Sequence, residues 1–224
     1  MKRLPYAMLA AALLLSACVS GGDVSRSSTP APSVPTVGQA EANLPKVLRS
    51  QYEVKAVSVS VPQKLRVSEA NMFYPIADIV WRGEPLADRH IQVQHIFEEA
   101  AATATSGMTQ GPAVLVDLEV KRFHSVTEKT RYTVGGVHDM VYVMTVRDAA
   151  TGAVIEGPRE IKADVRAAGG AQAVAEDNMG RTQRVVIIER LVASLKAELS
   201  AQVTDPLLVS QALGLQPAGL STAN

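Results

Sequence analysis

The sequence predicts an α+β fold in two layers, with an antiparallel sheet that carries two amphipathic helices on one face. Two observations support this prediction. Segments in which apolar and polar residues alternate, as in half-buried strands, occupy the middle of the chain. Two longer segments repeat apolar residues at three- and four-residue steps, as in helices that bury one side. Stacking the sheet and the helices as layers buries both apolar surfaces.

The first half of the domain contains two strands and a helix. Val57, Val59 and Val61 alternate with serines and indicate a strand that ends at Pro62. Residues 76–81, between a proline and a glycine, indicate a second strand. A helix is expected to begin after Asp88 and to end before Gly107. One stripe of this helix is predicted to carry Leu86, Arg89, Val93, Ile96, Phe97 and Ala100.

The second half contains three strands and a closing helix. Residues 113–124 are the clearest strand, because valines and leucine alternate there with Asp117, Glu119 and Lys121. A polar connection, 125–136, leads to a partner strand over 137–147. A third strand is expected near 154, interrupted by Pro158 and resumed over 161–166 as an edge strand. The last helix spans 182–201 with Val185, Ile188, Val192, Leu195 and Leu199 on its buried side, and residues 171–178 could add two helical turns.

The basic and apolar leader ends in Leu15-Ser16-Ala17-Cys18, which contains the only cysteine of the chain. Its apolar run, 7–15, is shorter than the roughly 20 residues that cross a bilayer. This stretch resembles the lipobox of bacterial lipoproteins. The resemblance implies cleavage after a signal peptide of residues 1–17 and acylation of Cys18 with diacylglyceryl and a fatty acid such as palmitate. The alternative is an ordinary secretory leader with an incidental cysteine.

The resemblance also implies a location. Val19 follows the cysteine where an inner-membrane retention signal would place Asp, which implies the periplasmic leaflet of the outer membrane. Several acyl chains together hold a protein stably at a membrane, and no further anchor is needed. Residues 18–48 are rich in Pro, Ser and Thr and are expected to be a flexible tether. We expect one domain over 49–203 and a loose tail over 204–224.

Composition excludes some functions. Lys and Arg total 22 and Asp and Glu total 22, and no basic run is longer than a pair, so nucleic acid is not an expected partner. The glycine pairs Gly135-Gly136 and Gly169-Gly170 lack the Lys and Ser or Thr of a phosphate loop and are expected to relieve strained turns. No cofactor is predicted.

The sequence contains no convergent set of catalytic residues, so we predict that the protein is not an enzyme. No serine lies in a Gly-x-Ser-x-Gly turn, and no apolar surroundings raise the pKa of Asp117 or Glu119. His90 and His95 lie about 140° apart around a helix. His124 and His138 are the one histidine pair that could approach, across the hairpin, and nothing completes a metal site there.

The polar connection supplies the candidate partner-binding residues. Its twelve residues exceed the needs of a hairpin, and long connections in compact domains are often functional, although a merely solvated loop is the alternative. Trp81 lies at the predicted strand-to-helix junction, and we expect it to be in the core with its indole N–H bonded to nearby backbone. The candidates are Trp81, Phe123, His124, Glu128, Lys129, Arg131, Tyr132 and His138, with Gly135 and Gly136 supplying flexibility.

Three segments, 68–92, 123–138 and 167–198, resemble a lipoprotein family of alphaproteobacteria that has no assigned activity. In architecture the chain is similar to the auxiliary lipoproteins of lipid-trafficking ABC transporters, the shared feature being Trp81 followed by Pro85 and an amphipathic helix. These resemblances imply no catalytic residues.

The sequence therefore predicts an outer-membrane lipoprotein that acts without catalysis as a binding or accessory component in envelope assembly or transport. Its partners would be the membrane, through the N-terminal lipid, and an envelope protein or an extended lipid or glycan. One alternative is a periplasmic hydrolase or metal-dependent enzyme built around His124, Glu128 and His138. Another is a passive structural spacer.

Overall fold

The computed structural model describes residues 46–204. Within that range the elements, in chain order, are β1 (Lys46–Ser50), β2 (Glu53–Ser60), β3 (Ile79–Val80), α1 (Arg89–Thr105), β4 (Ala113–His124), α2 (Glu128–Arg131), β5 (Gly136–Asp148), β6 (Val154–Lys162), β7 (Val165–Ala167), α3 (Gly170–Asn178), α4 (Gln183–Glu198) and β8 (Ser200–Thr204). Cys18, the predicted signal peptide, the tether up to residue 45 and the tail beyond 204 lie outside the described residues.

The main sheet has the strand order β2-β4-β5-β6, with short β3 beside the end of β4 and β7 beside the start of β5. Strands β4, β5 and β6 pair antiparallel, as predicted. Strands β2 and β3 run parallel to β4, so the sheet is mixed and not wholly antiparallel. The reason is the connection: the chain passes through α1 between β2 and β4, and such a crossover returns the next strand in the same direction.

One face of the sheet is apolar and is covered by helices, which confirms the predicted α+β layers. Val114, Val116, Leu118 and Val120 of β4 are buried, and they belong to one core cluster with residues of α1 and α4. The two helices also pack on each other. On the opposite face the charged residues of β4 are half-buried and Lys162 is exposed. Burial of these apolar side chains is the main stabilising term for the domain.

Both large helices begin within one residue of the predicted start. The Asp88 carboxylate accepts hydrogen bonds from the first turn of α1, and the Thr182 hydroxyl does so for α4. Leu86, predicted on the buried stripe, precedes α1 and is exposed. The buried side of α4 is also rotated from the prediction: Val186 and Ile187 are buried, whereas Val185 is partly exposed. Four consecutive apolar residues, 185–188, leave the spacing ambiguous at that end of the helix.

Strands β1 and β8 form a separate two-stranded antiparallel sheet that pairs Lys46 with Thr204. Residues 46–48, predicted as the end of the tether, therefore lie in a strand. The closing helix ends at Glu198, three residues earlier than predicted, because the chain continues into β8 to make this pairing. The two ends of the described chain lie side by side.

Strand β6 is the edge strand, as predicted, but it continues through Pro158. The pairing with β5 shifts register between Met144 and Val146, which leaves Gly157 and Pro158 without ladder partners. Proline lacks an N–H and is accommodated at such an edge irregularity. No helix within residues 46–204 combines the length and apolar character needed to cross a membrane.

Candidate functional site

A cleft of about 440 Å³ lies where β4 leads into α2 and where β5 begins. We call it the distal cleft. Its size falls in the range of small-ligand pockets, roughly 300–1,000 Å³. Its walls come from the segment between β2 and β3, from the β4–β5 connection and from the residues after β6. The walls include Phe73, Tyr74, His124, Val126, Val134 and Val137, together with two carboxylates, Asp139 and Asp164.

One wall is the segment 71–77, which we call the distal loop. Residues around α2 hold one end of it: Thr127 Oγ1 donates to the Met72 carbonyl at 2.8 Å, and Thr130 Oγ1 donates to the Phe73 carbonyl at 2.8 Å. The backbone N–H of Lys129 donates to Asn71 Oδ1, also at 2.8 Å. The two threonine hydroxyls thus satisfy backbone carbonyls that would otherwise be hydrogen-bonded to water.

Strand β4 holds the other end of the distal loop. His124 Nε2 lies 2.8 Å from the Pro75 carbonyl, and the Tyr74 ring stacks on the His124 ring with centroids 4.5 Å apart. Arg122 donates to the Ala77 carbonyl at 3.2 Å and to the Tyr74 hydroxyl at 2.8 Å. The loop is thus fixed at both ends by side chains from the β4–β5 hairpin.

Four apolar side chains of the distal loop are exposed, whereas Pro75 and Ala77 are buried. Phe73 is 52% exposed, Tyr74 61% and Ile76 85%. Met72, Val134 and Val137 are exposed beside them. Single exposed apolar residues are ordinary, but a contiguous group of this kind is typical of an interaction surface. The hydrogen bonds fix the backbone of the loop that carries these exposed side chains.

Polar side chains are buried beneath this surface. Arg131 is 1% exposed and donates to both carboxylate oxygens of Asp177, at 2.8 and 3.3 Å. His138 is fully buried, and its Nδ1 accepts from the Val126 N–H at 3.4 Å, while its Nε2 has no partner among the described residues. Burial, together with the charge of Arg131, lowers the pKa of His138 to about 4. His138 is therefore neutral at neutral pH.

The two glycine pairs of the sequence meet beside the cleft. Gly135 has a φ of +70°, and a Cβ at Gly169 would lie 2.2 Å from the Gly135 nitrogen. Only glycine tolerates so close a backbone approach. The prediction that these glycines relieve strained turns is confirmed, and their contact joins the end of the β4–β5 connection to the start of α3.

The structure places two predicted partner-binding residues in the core. Phe123 and Trp81 are fully buried and pack edge to face, with ring centroids 5.7 Å apart. The Trp81 indole N–H has no partner within the described residues, so the expected bond to nearby backbone is wrong. Trp81 Cη2 would lie 2.3 Å from a Cβ at Gly83, because the chain turns tightly over the ring at that glycine.

Other predicted residues lie in α2 or directly after it. Lys129 Nζ lies 4.6 Å from the centre of the Phe73 ring, a cation–π contact. Tyr132 is half-exposed and its hydroxyl donates to Asp177 at 3.2 Å. Glu128 forms an ion pair with Arg82. Arg131 and His138, predicted to contact a partner, lie below the surface and support it instead.

The residues proposed for an enzymatic alternative do not converge. His124 pairs with Asp139 in the β4–β5 ladder, so His138, one residue earlier on β5, points to the opposite face of the sheet. The suggestion that the two histidines approach across the hairpin is wrong. Among residues 46–204 no three His, Cys, Asp or Glu side chains are grouped to hold a metal ion.

The carboxylates of the solvent-facing side are held as anions. Arg147 donates a hydrogen bond to Asp117 at 2.7 Å and lowers the pKa of that carboxyl. Lys121 does the same for Glu119 at 2.5 Å. A general acid would require the opposite shift of pKa.

Sequence reasoning missed the distal loop. It assigned Ile76 to a strand over 76–81, whereas the strand is Ile79–Val80 and Ile76 is highly exposed. One sequence feature could have indicated this loop: residues 72–76 form an apolar run that contains a proline and fits neither a strand nor a helix period.

A model for a protein family described as "Family of unknown function (DUF6778)" matches residues 52–213. No curated protein matches the chain significantly. Similar solved structures include a candidate lipoprotein of Caulobacter crescentus CB15, at 13% identity and a TM-score of 0.32, covering 72% of this chain and 93% of that one. A protein of Xanthomonas campestris from family DUF330 has 14% identity, a TM-score of 0.39 and coverage of 77% and 91%. A minor lipoprotein of Acinetobacter baumannii has 13% identity, a TM-score of 0.30 and coverage of 66% and 98%.

Proposed function

We propose a function from the premise that this chain belongs to the family of unknown function DUF6778, whose model matches it over residues 52–213. In this proposal the protein is an outer-membrane lipoprotein, anchored through acylated Cys18, that binds an envelope component without catalysing a reaction. It acts as an accessory in envelope assembly or transport, in the manner of the auxiliary lipoproteins of lipid-trafficking ABC transporters. Its partner is an envelope protein or an extended lipid or glycan.

The observation that supports binding is the distal loop. Its apolar side chains are exposed while its carbonyls are fixed by Thr127, Thr130, His124 and Arg122. A surface that is already ordered loses less conformational entropy when a partner docks. Large aromatic side chains such as Phe73 are also typical of the residues that carry most of the energy of an interface.

Two further observations support the accessory role. The Pro-containing segment between Cys18 and the domain would let the domain reach a partner away from the membrane. Two of the three residues considered for catalysis are already engaged in contacts within the fold, since His124 bonds Pro75 and Glu128 bonds Arg82.

Site-specific photo-crosslinking in intact cells tests the binding role. A photoreactive phenylalanine analogue replaces Phe73 in the full chain, and the matched control carries it at Ile91, which is similarly exposed on α1. We expect a crosslink to a component of an envelope assembly or transport system from position 73 and not from position 91. Equal products from both positions, or none from position 73, would contradict the proposal.

The anchor needs a separate test. Labelled palmitate should enter the wild-type chain and be absent from Cys18→Ser, and the wild type should fractionate with the outer membrane. Incorporation of labelled palmitate into Cys18→Ser would show that Cys18 is not the acylated residue and would contradict the proposed anchor.

A further inference from the structure

Two separate segments expose apolar side chains at the same end of the domain. One is the distal loop, and the other runs from the end of the β4–β5 connection into β5. Both segments line the distal cleft, so their side chains are neighbours. Ile76 is 85% exposed and Val134 is 74% exposed, so these two project from the domain. The whole group, which we call the distal surface, consists of Met72, Phe73, Tyr74, Ile76, Val134 and Val137.

Cations border the distal surface. Lys129 Nζ lies over the Phe73 ring. Arg166 is exposed and is the cross-strand partner of Val137, which places both side chains on the same face of the sheet. Lys162 is also exposed and lies on that face, one strand repeat further along. None of these three cations forms an ion pair with a described residue.

Carboxylates offset only part of this charge. Asp139 and Asp164 line the cleft, and Arg122 neutralises Asp139 by donating to it at 2.6 Å. Asp164 is exposed and forms no ion pair with a described residue. Glu160, the next exposed carboxylate along β6, pairs in the ladder with Val143, nearer the middle of the sheet. The border of the distal surface therefore carries more positive than negative charge.

We propose that the distal surface docks on a lipid bilayer that contains anionic headgroups. The apolar side chains enter the boundary between headgroups and acyl chains, and the bordering cations lie at the level of the phosphates. This inference rests on the proposed binding role and deepens it by naming a membrane surface as a component that the distal end contacts. A partner protein embedded in that bilayer would be reached at the same time, so the crosslink expected from Phe73 is compatible with it.

Shape and composition favour a bilayer over a folded protein as the direct contact. The residues that carry most of the energy of a protein interface typically fill well-packed pockets on the partner. Ile76 and Val134 instead project beside unpaired Lys and Arg side chains. Segments that lie in a membrane interface combine these two features, because the apolar side chains are buried while the long cationic ones reach the headgroups.

The distal surface is also far from the end at which the chain enters the domain. Glu53, shortly after β1, pairs with Ala113, the first residue of β4, whereas the cleft lies at its last residue, His124. A strand of 12 residues spans roughly 40 Å. Docking of a bilayer at the distal surface can therefore be measured apart from the N-terminal lipid.

Vesicle flotation tests the inference. The lipidated full chain is held in phosphatidylcholine nanodiscs and mixed with vesicles of phosphatidylcholine alone or of equal parts phosphatidylcholine and phosphatidylglycerol. We expect the vesicles that contain phosphatidylglycerol to bind about tenfold more strongly, and this preference to shrink as salt screens the charges.

The apolar contribution is tested at the most exposed side chain. Ile76→Ser should weaken binding to phosphatidylglycerol vesicles by about tenfold, because it removes a side chain that would enter the membrane. Ile155→Ser is the matched control, since Ile155 is exposed on β6 near the far end of β5, and it should leave binding unchanged. Both variants should unfold at the same urea concentration as the wild type.

The charge contribution is tested by single substitutions. Arg166→Gln should weaken binding to phosphatidylglycerol vesicles by about fivefold, whereas Arg49→Gln, which removes an exposed cation of β1, should change it by less than about twofold. Asp164→Asn should strengthen this binding by about twofold to fivefold, because it removes a carboxylate that repels the headgroups. A basic protein partner would give the opposite sign for Asp164→Asn.

Three results would overturn the inference: no binding of either kind of vesicle, equal binding of both kinds, or weaker binding after Asp164→Asn. A protein crosslinked at Phe73 without vesicle binding would keep the proposed function and remove the membrane surface. Vesicle binding without a crosslink at Phe73 would support the membrane surface and contradict the partner in an envelope system, so the two proposals fail separately.

Discussion

In the middle of the sheet, Val116 and Leu118 of β4 are buried beneath α1 and α4, while Asp117 and Glu119, which alternate with them, reach the solvent. At the distal end the arrangement is reversed. Arg131, His138, Thr127 and Thr130 are buried there, while the apolar side chains of the distal loop are exposed, as are Val134 and Val137.

The two regions are held together by different forces. Apolar burial is non-directional and contributes about 25 cal/mol per Å², so it stabilises the middle of the sheet without fixing fine geometry. Hydrogen bonds contribute only about 1 kcal/mol each but specify direction, and they determine where the distal loop lies. The middle of the sheet therefore provides stability, and the distal end provides a defined surface.

Matched phenylalanine substitutions should separate these roles most sharply. Phe97→Ala removes a fully buried ring from the core and should lower the free energy of unfolding by about 4 kcal/mol. Phe73→Ala removes a half-exposed ring and one cation–π contact and should cost less than about 1 kcal/mol. Urea unfolding of both variants measures the difference. Equal losses of stability would mean that Phe73 belongs to the core.

The buried ion pair of the distal end gives the next largest effect. Asp177→Asn leaves the Arg131 guanidinium buried without its counter-charge and should destabilise the domain by about 3 kcal/mol. Glu189→Gln is the control, because its pair with Arg181 is exposed and should change stability by less than about 0.5 kcal/mol. Thermal and urea unfolding test both. An Asp177→Asn variant with unchanged free energy of unfolding would show that water solvates the Arg131 guanidinium.

The elements of the middle were predictable because their signals are local. Alternation over 113–124 lies within the strand that it predicts, and Asp88 lies one residue before the helix that it predicts. The distal end depends on contacts between distant parts of the chain. Thr130 bonds a carbonyl 57 residues away and Arg131 bonds Asp177, 46 residues away. No local pattern marks either contact, so charged loop residues were expected at the surface. Residues 72–75 were assigned to no element, and Ile76 was assigned to a strand.

The pH dependence of the free energy of unfolding tests the buried histidine of the distal end, His138. Above pH 6.5 His138 is neutral in both folded and unfolded chains. As the pH falls from 6.5 toward 4, the unfolded chain binds a proton that the folded chain does not, so the free energy of unfolding falls. The loss should reach about 2 kcal/mol by pH 5.

His138→Asn should remove this part of the pH dependence, although the smaller side chain lowers stability by a constant amount at every pH. The quantity to compare is the slope of unfolding free energy against pH between 6.5 and 5, which should be shallower in the variant. Parallel curves would show that His138 is not the titrating group.

The smallest effect concerns a single hydroxyl group that holds the distal loop. Thr130→Val keeps the shape of the side chain but removes the hydrogen bond to the Phe73 carbonyl, and it should cost about 1 kcal/mol. Thr103→Val removes an exposed hydroxyl that bonds within α1, and it should change stability by less than about 0.5 kcal/mol. Amide hydrogen exchange should accelerate in the distal loop of Thr130→Val and stay unchanged in β4 and β5. Faster exchange throughout the sheet would mean that the loop and the middle unfold as one unit, and that the division between a stabilising region and a binding region does not hold.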